Sequence, residues 1–492
     1  MKLHALMTVT LLLFRLVAAG QQPVTFDTVQ FGPVSYAIGY AAFETDDGFT
    51  VFSLQKFSTT PYQDITVVQF DEAGGLSAET HVETVAADQI GNCSPVVRIA
   101  TGYVTGCDRY TPGALDSLFI QYYDAEGVFL SEQFLTADTA TTMRGMARTV
   151  TGDLLLTGLH QYPEEAYVYH LDSLGNIKGY HGYPGFDGED VVEGRDGKWY
   201  VCGKGNQAPY YNHPVLLRSD TLGQQIWRRS LPDLGNFVSM IPLQDHGVLG
   251  LGIIGHHPDS AGFALALKYD SNGTEVWRKE LFQTDDDTWP AWFHAGYENQ
   301  DSSLVLAGWY RSIAMRDQGL LVKVDKNGDT LWHRFYSHYP GAAYEKDQIF
   351  WDVKPTSDGG MVLTGETNSD DYPYAQLWLL KLDSMGCLVP GCGSVGVQEY
   401  TDLFHGKLVV APNPASERVS LALDLIEGIE VSGQVRAMLL DATGRVVLEH
   451  AVQQNLNKLS AVLDVSALSS GTYYLHLRDA KRWLAGSKMI VE

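Results

Sequence analysis

The residues with the most recognisable chemistry are three adjacent carboxylates, Asp285, Asp286 and Asp287, followed by Trp289 and Trp292. Carboxylate oxygens are the ligands that Ca²⁺ prefers, and indole rings offer apolar faces to a sugar. The segment therefore indicates a calcium-dependent sugar site, with Ca²⁺ as the candidate cofactor. The alternative is a solvated connection beside ordinary hydrophobic packing, which is favoured because the ligand spacing of an EF-hand loop is missing.

The sequence contains none of the common catalytic motifs, and its net charge excludes some classes of binding partner. There is no Gly-x-Ser-x-Gly elbow, His-Glu-x-x-His pair or phosphate loop. The 34 Lys and Arg residues against 59 Asp and Glu give a net charge of -25. Nucleic acids and anionic membrane surfaces both require a basic footprint, so neither is an expected partner.

The length and the N-terminal segment indicate an exported protein with more than one domain. The chain has 492 residues, of which 45% are hydrophobic and 19% charged, which suits folded domains. Residues 1–20 combine Lys2, an apolar run over residues 6–14 and the small residues Ala18-Ala19-Gly20. This pattern predicts a secretory signal peptide, with a buried N-terminal helix as the alternative.

Two sequence elements recur in a fixed order along the next 350 or so residues. The first is a polar turn, an apolar run and a small residue, and its seven copies end at Ser53, Gly106, Gly158, Gly203, Gly252, Gly308 and Gly365. The second is an Asp-x-x-Gly turn that begins at Asp71, Asp124, Asp172, Asp220, Asp270, Asp325 and Asp383. Successive turn aspartates are 53, 48, 48, 50, 55 and 58 residues apart.

Each period of about 50 residues predicts one four-stranded antiparallel sheet. Such a sheet cannot bury both faces alone, so the copies must pack around an axis. The sequence therefore predicts an all-β protein whose residues 31–392 form a seven-bladed β-propeller. A β-solenoid is the alternative architecture, and an eighth blade would fit if the N-terminal segment held one.

The first strand of each blade is expected to line the central channel, where propellers bind ligands. These strands contain the polar residues Arg98, Arg144, Glu193, His294 and Asp352. They are the candidate ligand-binding residues, and a carboxylate beside His294 could exchange protons. Salt bridges between blades are the alternative role.

The composition changes after a predicted linker at residues 393–408. Six short alternating strands and several turns follow within about 80 residues, which suits a small Ig-like β-sandwich. Residues 411–492 contain 8 Lys and Arg against 9 Asp and Glu, so the acidic charge belongs to the propeller.

The landmarks of this C-terminal module, in order, are Pro412, Asn413, Pro414, Gly444, Gly471, Tyr473 and Lys488. They lie in a Pro-Asn-Pro entry, a Leu-x-Asp-x-x-Gly turn, a Leu-x-x-Gly-x-Tyr strand and a terminal Lys-Met-Ile-Val. Residues 409–492 thereby resemble the type A sorting domain of the type IX secretion system. The upstream repeats resemble those of secreted Bacteroidetes proteins, with Trp227, Trp277 and Trp332 after the turns.

This resemblance implies a route and a destination. The chain would cross the inner membrane by the Sec route and the outer membrane through the type IX machinery, its implied partner. Removal of the sorting domain and release or anchoring to lipopolysaccharide would come next, so the protein is expected outside the cell or on its surface.

The five cysteines suit an oxidising compartment. Cys387 and Cys392 flank a Pro-Gly turn and are predicted to form a disulfide. Cys93 and Cys107 are a second candidate pair, on neighbouring predicted strands. Cys202 lies in an apolar run and is expected to be a buried free thiol.

Three functions are compatible with these features. The first is a non-catalytic binding or adhesion propeller with a glycan or protein ligand, favoured because no catalytic motif is present. The second is a secreted polysaccharide hydrolase or lyase that uses channel carboxylates. The third is a structural component of the cell-surface layer.

The export prediction is tested by deleting residues 409–492. We expect the truncated protein to accumulate in the periplasm, because it would lack the signal for outer-membrane passage. Fractionation and immunoblotting of periplasm, cell surface and medium measure this outcome, with the full-length chain as the control. Continued secretion of the truncated chain would refute the assignment.

Overall fold

The computed structural model describes most of the chain, in segments separated by short gaps. The described residues are 24–30, 34–57, 63–82, 89–110, 117–136, 141–161, 164–206, 212–255, 262–282, 291–311, 317–338, 347–368, 374–389, 404–425, 433–441, 445–455, 458–479 and 483–492. Within these segments, no helix has the length and apolar character needed to span a membrane. The predicted signal peptide, at residues 1–20, lies outside them.

Seven four-stranded antiparallel sheets, here called blades one to seven, lie between residues 26 and 382. The N-terminal strand is β1 (Phe26–Gln30), and blades one to three contain β2 (Val34–Thr45), β3 (Gly48–Phe57), β4 (Gln63–Asp71), β5 (Leu76–Val82), β6 (Gln89–Ile99), β7 (Gly102–Tyr110), β8 (Ser117–Tyr123), β9 (Phe129–Thr136), β10 (Thr141–Arg148), β11 (Leu154–Gln161), β12 (Glu164–Leu171) and β13 (Ile177–Pro184). Blades four to seven contain β14 (Phe186–Glu193), β15 (Trp199–Gly205), β16 (Pro214–Ser219), β17 (Gln225–Ser230), β18 (Leu234–Pro242), β19 (Val248–Gly255), β20 (Phe263–Tyr269), β21 (Glu275–Leu281), β22 (Ala291–Glu298), β23 (Leu304–Arg311), β24 (Asp317–Val324), β25 (Thr330–Tyr336), β26 (Gln348–Pro355), β27 (Met361–Thr367) and β28 (Gln376–Leu382).

The blades form a closed ring. Each first strand, β2, β6, β10, β14, β18, β22 or β26, packs against the first strands of both neighbouring blades. The first strands therefore surround a central axis, and the hydrophobic cores lie between adjacent sheets. The prediction of an all-β propeller is confirmed, and the described residues contain as many blades as the sequence predicts.

The Asp-x-x-Gly turns come directly after the third strand of each blade. In the turn after β20, Asp270 Oδ1 accepts the backbone N–H of Asn272 (2.9 Å) and of Thr274 (2.8 Å). Gly273 adopts φ +76°, a conformation that glycine tolerates best. The same aspartate capping recurs in the other six turns.

Six of the seven turns also contact the fourth strand of the preceding blade, whereas the turn of blade two contacts the third strand of blade one. Trp227 Nε1 of blade four donates to the carbonyl oxygen of Ser271, and Trp277 Nε1 of blade five donates to that of Lys326, both at 3.1 Å. The tryptophan that comes after a turn in the sequence therefore binds the turn of the next blade. Trp332 packs in the same way against Gly386.

Strand β1 closes the ring by pairing with β28 as the fourth strand of blade seven. Its Thr28 hydroxyl donates to the carbonyl oxygen of Gly74 in blade one at 3.0 Å, as fourth strands do elsewhere. Asp27 Oδ1 accepts Trp378 Nε1 at 2.9 Å and lies 2.6 Å from His338 Nδ1. The predicted propeller start at residue 31 omits this strand, and residues 26–30 complete blade seven rather than begin an eighth blade.

Every first strand contains a β-bulge opposite the small residue of the repeat. The residue before the bulge pairs with the repeat residue, as Phe293 pairs with Gly308. In blades three to seven, a Cβ on the repeat glycine would lie 1.8–2.0 Å from a carbonyl oxygen of the first strand. Glycine is therefore required where the bulged strand approaches most closely.

The C-terminal module consists of two four-stranded sheets around one hydrophobic core. One sheet contains β29 (Phe404–Ala411), β30 (Arg418–Leu425), β34 (Lys458–Asp464) and β33 (Gln453–Asn455), and the other contains β32 (Val446–Ala451), β31 (Arg436–Leu440), β35 (Gly471–Arg478) and β36 (Trp483–Val491). All six predicted strands are present, while β29 and β33 were not predicted. Strand β29 begins inside the predicted linker at residues 393–408.

The repeat glycine gives a direct stability test. Gly308→Ala would place a methyl group 1.8 Å from the Trp292 carbonyl oxygen, so the two strands must separate. We expect a loss of about 3 kcal/mol in unfolding free energy, at the upper end of overpacking costs. Denaturant unfolding of the propeller measures it.

The matched control is Gly197→Asn, because an added Cβ there meets nothing within 4 Å and asparagine tolerates φ +76°. Equal losses in the two variants would contradict the proposed role of the bulge.

Candidate binding site at the channel mouth

The extra residue of each bulge lies at the same level of the channel. These seven residues, called the bulge ring, are Tyr40, Pro95, Arg144, Glu189, Val238, His294 and Trp351. All seven are partly exposed. The ring lies near the strand ends from which the second-to-third and fourth-to-first connections leave, an end called here the mouth. Arg144 and His294, two of the five predicted site residues, belong to it.

One side of the ring is ionic. Arg144 of blade three forms an ion pair with Glu189 of blade four. Burial raises the pKa of Glu189, and the nearby Arg144 charge opposes that rise. Asp187 accepts Asn206 Nδ2 at 3.0 Å and lies 3.8 Å from Lys204 Nζ. This side therefore presents paired charges of both signs.

The other side of the ring is aromatic. The ring of His294 stacks on Trp351 with centroids 4.2 Å apart, and Tyr40 lies 6.2 Å from Trp351. Burial lowers the pKa of His294 to about 3, so its imidazole is neutral at pH 7. Among the described residues, His294 Nδ1 has no hydrogen-bond partner. The stack therefore adds no positive charge.

Two carboxyl groups lie behind this aromatic side. Glu366 Oε1 accepts Trp351 Nε1 at 3.1 Å. Burial, together with the charge of Asp347, raises the pKa of Glu366 to about 7. Burial and the charge of Glu366 in turn raise the pKa of Tyr40 to about 12 and that of Tyr36 further.

The other three predicted residues make contacts between blades. Asp352 Oδ2 accepts the N–H of Ala42 in blade one at 3.1 Å and also pairs with Lys354. Glu193 Oε2 accepts the N–H of Val150 in blade three at 2.5 Å. Arg98 Nη1 donates to a backbone carbonyl of blade one at 2.9 Å. These contacts connect neighbouring blades, but through backbone groups rather than through the inter-blade salt bridges that the sequence left open as the alternative.

The bulge residues were not identified as a group from the sequence, although their spacing from the repeat glycine is regular. In blades three to seven the bulge residue precedes the repeat glycine by 14 residues, as Trp351 precedes Gly365. In blades one and two this spacing is 13 and 11 residues, so it changes in the blades whose repeats diverge. Glu366 directly follows a repeat glycine and has no such recurrent signal.

The predicted calcium segment, Asp285, Asp286 and Asp287, lies outside the described residues. Within the described part of the chain, no group of three or more His, Cys, Asp or Glu side chains is arranged to hold a metal ion. The described residues at the mouth offer aromatic stacking, hydrogen bonding and charge pairing by side chains.

The sorting landmarks converge at one edge of the C-terminal module. Asn413 Oδ1 accepts the N–H of Ile490 at 2.8 Å, and its Nδ2 donates to the Lys488 carbonyl oxygen at 3.1 Å. Ala415 continues the pairing as a parallel bridge to Val491. Tyr473 in β35 donates its hydroxyl to the Ser469 carbonyl oxygen at 2.7 Å.

The asparagine side chain thus replaces a strand backbone, and the Pro412-Asn413-Pro414 entry is held against the terminal strand. Gly471 begins β35, and the turn residue Gly444 lies outside the described residues.

Sequence comparison assigns this module. Residues 409–492 match the family model described as a secretion system C-terminal sorting domain. The chain therefore carries a type IX sorting domain of the kind found in Bacteroidetes, which directs export to the medium or the outer cell surface. No curated protein matches the chain in sequence.

Several solved structures are similar to the chain at low identity. The β-propeller domain of the Trilobed protease from Pyrococcus furiosus has 12% identity and a TM-score of 0.44, over 71% of this chain and 94% of that one. An acylaminoacyl peptidase from Pyrococcus horikoshii has 10% identity and a TM-score of 0.42, over 81% of this chain but 59% of the peptidase. A periplasmic gluconolactonase from Pseudomonas aeruginosa has 11% identity and a TM-score of 0.38, over 71% and 96%. These values are too low to support any inference about ligand or activity.

Asp190, beside the bulge residue of blade four, yields a pH prediction. Its Oδ2 accepts the Met240 N–H of blade five at 2.8 Å, and burial raises its pKa from 3.8 to about 7. The protonated carboxyl favours the folded state, so this contribution is complete below pH 4 and disappears as the pH rises through 7. We expect the melting temperature of the propeller to fall between pH 5 and pH 8.

Asp190→Asn should flatten that pH profile and melt above the wild type at pH 8, as measured by calorimetry. The control is Glu72→Gln at an exposed turn, which should behave as the wild type does. A variant that melts below the wild type at both pH values would contradict the assignment.

Proposed function

We propose that this exported propeller is a non-catalytic binding protein that holds a glycan or protein ligand at the mouth of its central channel. The bulge ring is the observation that carries the proposal. It brings residues from all seven blades to one partly exposed level, with paired charges on one side and stacked aromatic rings on the other. A ligand spanning the mouth would meet both kinds of surface.

The contacts of the predicted channel carboxylates favour binding over hydrolysis. Glu193 and Asp352 each accept a backbone N–H from a neighbouring blade, which occupies them in holding the ring together. A glycosidase requires two carboxyl groups free to act on opposite sides of a glycosidic bond. The lack of a catalytic motif in the sequence agrees with this choice.

The proposal includes maturation outside the cytoplasm. We propose that residues 1–20 are removed as a signal peptide, and that the sorting domain is removed before release or anchoring to lipopolysaccharide. We also propose disulfides between Cys93 and Cys107 and between Cys387 and Cys392. The opposed register of Cys93 and Cys107 supports the first, whereas Cys392 of the second pair lies outside the described residues. Cys202 is buried and free, in agreement with the sequence-based expectation.

Binding of the full chain to printed arrays of oligosaccharides and peptides tests the function. Trp351→Leu removes the indole that joins the aromatic stack to Glu366 while keeping an apolar side chain. We expect this variant to lose about tenfold in affinity for whichever printed class the wild type binds, since aromatic contacts contribute about 1 kcal/mol or more.

The control is Val150→Thr at the opposite end of the channel, where Val150 is 91% exposed. It should bind as the wild type does. Unchanged binding by the Trp351 variant would exclude the mouth as the site.

A further inference from the structure

At the aromatic side of the mouth lies a buried acid that has no cationic partner among the described residues. Glu366 is only 6% exposed, and its carboxylate accepts Trp351 Nε1. Within the described residues, no cationic side chain pairs with it or contributes to its electrostatic environment. Buried carboxylates are usually paired with a positive charge, because an isolated charge away from water is costly.

Glu366 belongs to an acid-aromatic cluster, defined by Tyr36, Tyr40, Asp347, Trp351 and Glu366. Tyr36, Tyr40 and Trp351 are partly exposed, and Asp347 is exposed at the outer side. The cluster therefore combines three partly exposed aromatic side chains with one buried and one exposed carboxyl group.

We propose that the acid-aromatic cluster binds a quaternary ammonium group. The inference rests on the proposed function, because it assigns a ligand class to the same mouth. Tyrosine and tryptophan rings attract methylated cations through their negative faces, and methylated ammonium groups lose less hydration than primary amines. The cation would supply the positive charge that no described residue provides to Glu366. A neutral sugar would leave that acid unpaired, and an anion would be repelled by both carboxylates.

The groups that face Glu366 define how binding responds to pH. Asp347 is the charged neighbour, Tyr36 and Tyr40 from β2 stay protonated, and β28 presents Leu377 across the strand pair. His294, which stacks on Trp351, stays neutral.

The pKa of Glu366 is about 7, so a cation binds its ionised form and displaces a proton. Affinity should rise from pH 5.5 to pH 8.5 and then level off.

Calorimetric titration of the full chain with choline tests the proposal. Its uncharged isostere 3,3-dimethylbutan-1-ol has the same shape without the charge, and we expect it to bind about tenfold more weakly at pH 8. Choline binding near pH 7 should release a proton, which titration in buffers of different ionisation enthalpy measures. Equal affinities of the two compounds, or no binding of choline, would overturn the proposal.

Glu366→Gln keeps an acceptor for Trp351 Nε1 and removes the charge. It should weaken choline binding about tenfold and abolish the proton release, whereas the exposed-site control Glu72→Gln should change neither. If Glu366→Gln does not fold, two measurements on the wild-type chain still test the proposal: the affinities of choline and its uncharged isostere, and the proton release on choline binding.

A second arm separates the sources of the cation. Flotation with phosphatidylcholine vesicles, compared with soluble choline, distinguishes a lipid headgroup from a free ligand. A chain that binds arrayed ligands through Trp351 but does not bind choline would keep the proposed function and lose the ammonium assignment.

Discussion

The close approach of a bulged strand to a glycine is the constraint on which the propeller depends. Each first strand carries one extra residue, and in blades three to seven the carbonyl beside it occupies the space of a side chain on the second strand. Glycine leaves that space empty in those five blades. In blade two Gly106 faces the Met143 side chain instead, and blade one carries Ser53 at this position. The bulge turns one side chain per blade toward the axis, so a requirement of backbone packing also sets the level at which the channel presents its chemistry.

The backbone of the ring is regular, while its side chains are not. The same bulge position holds Arg144 in blade three, Glu189 in blade four and Trp351 in blade seven. Aspartates next to two bulges, Asp190 and Asp352, each bind a backbone N–H of the next blade around the ring. Positions that make the same contact in several blades thus maintain the fold. Any recognition comes from the bulge positions, which occupy the same place in each blade but carry different side chains.

The sequence predicts most of the fold because its signals are local. The Asp-x-x-Gly turns, the repeat glycines and the strands of the sandwich each depend on neighbours within a few residues. Strand β1 was missed because its partner β28 lies about 350 residues away, and no local pattern records that pairing. The site was predicted in part: Arg144 and His294 line the mouth, but Glu366 comes from a second strand and reaches it only through tertiary packing. Glu193 and Asp352 were predicted as site residues because they are charged. In the structure their carboxylates accept backbone N–H groups of adjacent blades.

The pairing of β1 with β28 also sets an order of events in folding. Strand β1, the first strand of the propeller along the chain, cannot pair until its partner β28 has been made. Blades one to six can form as their own residues become available. Blade seven stays a three-stranded sheet until β1 pairs with β28. The entropy lost in closing a loop grows only slowly with its length, so the length of this loop adds little to the free-energy cost of the pairing. The pairing is late mainly because β28 comes late in the sequence. The sorting domain, whose strands lie within 90 residues of one another, has no such wait.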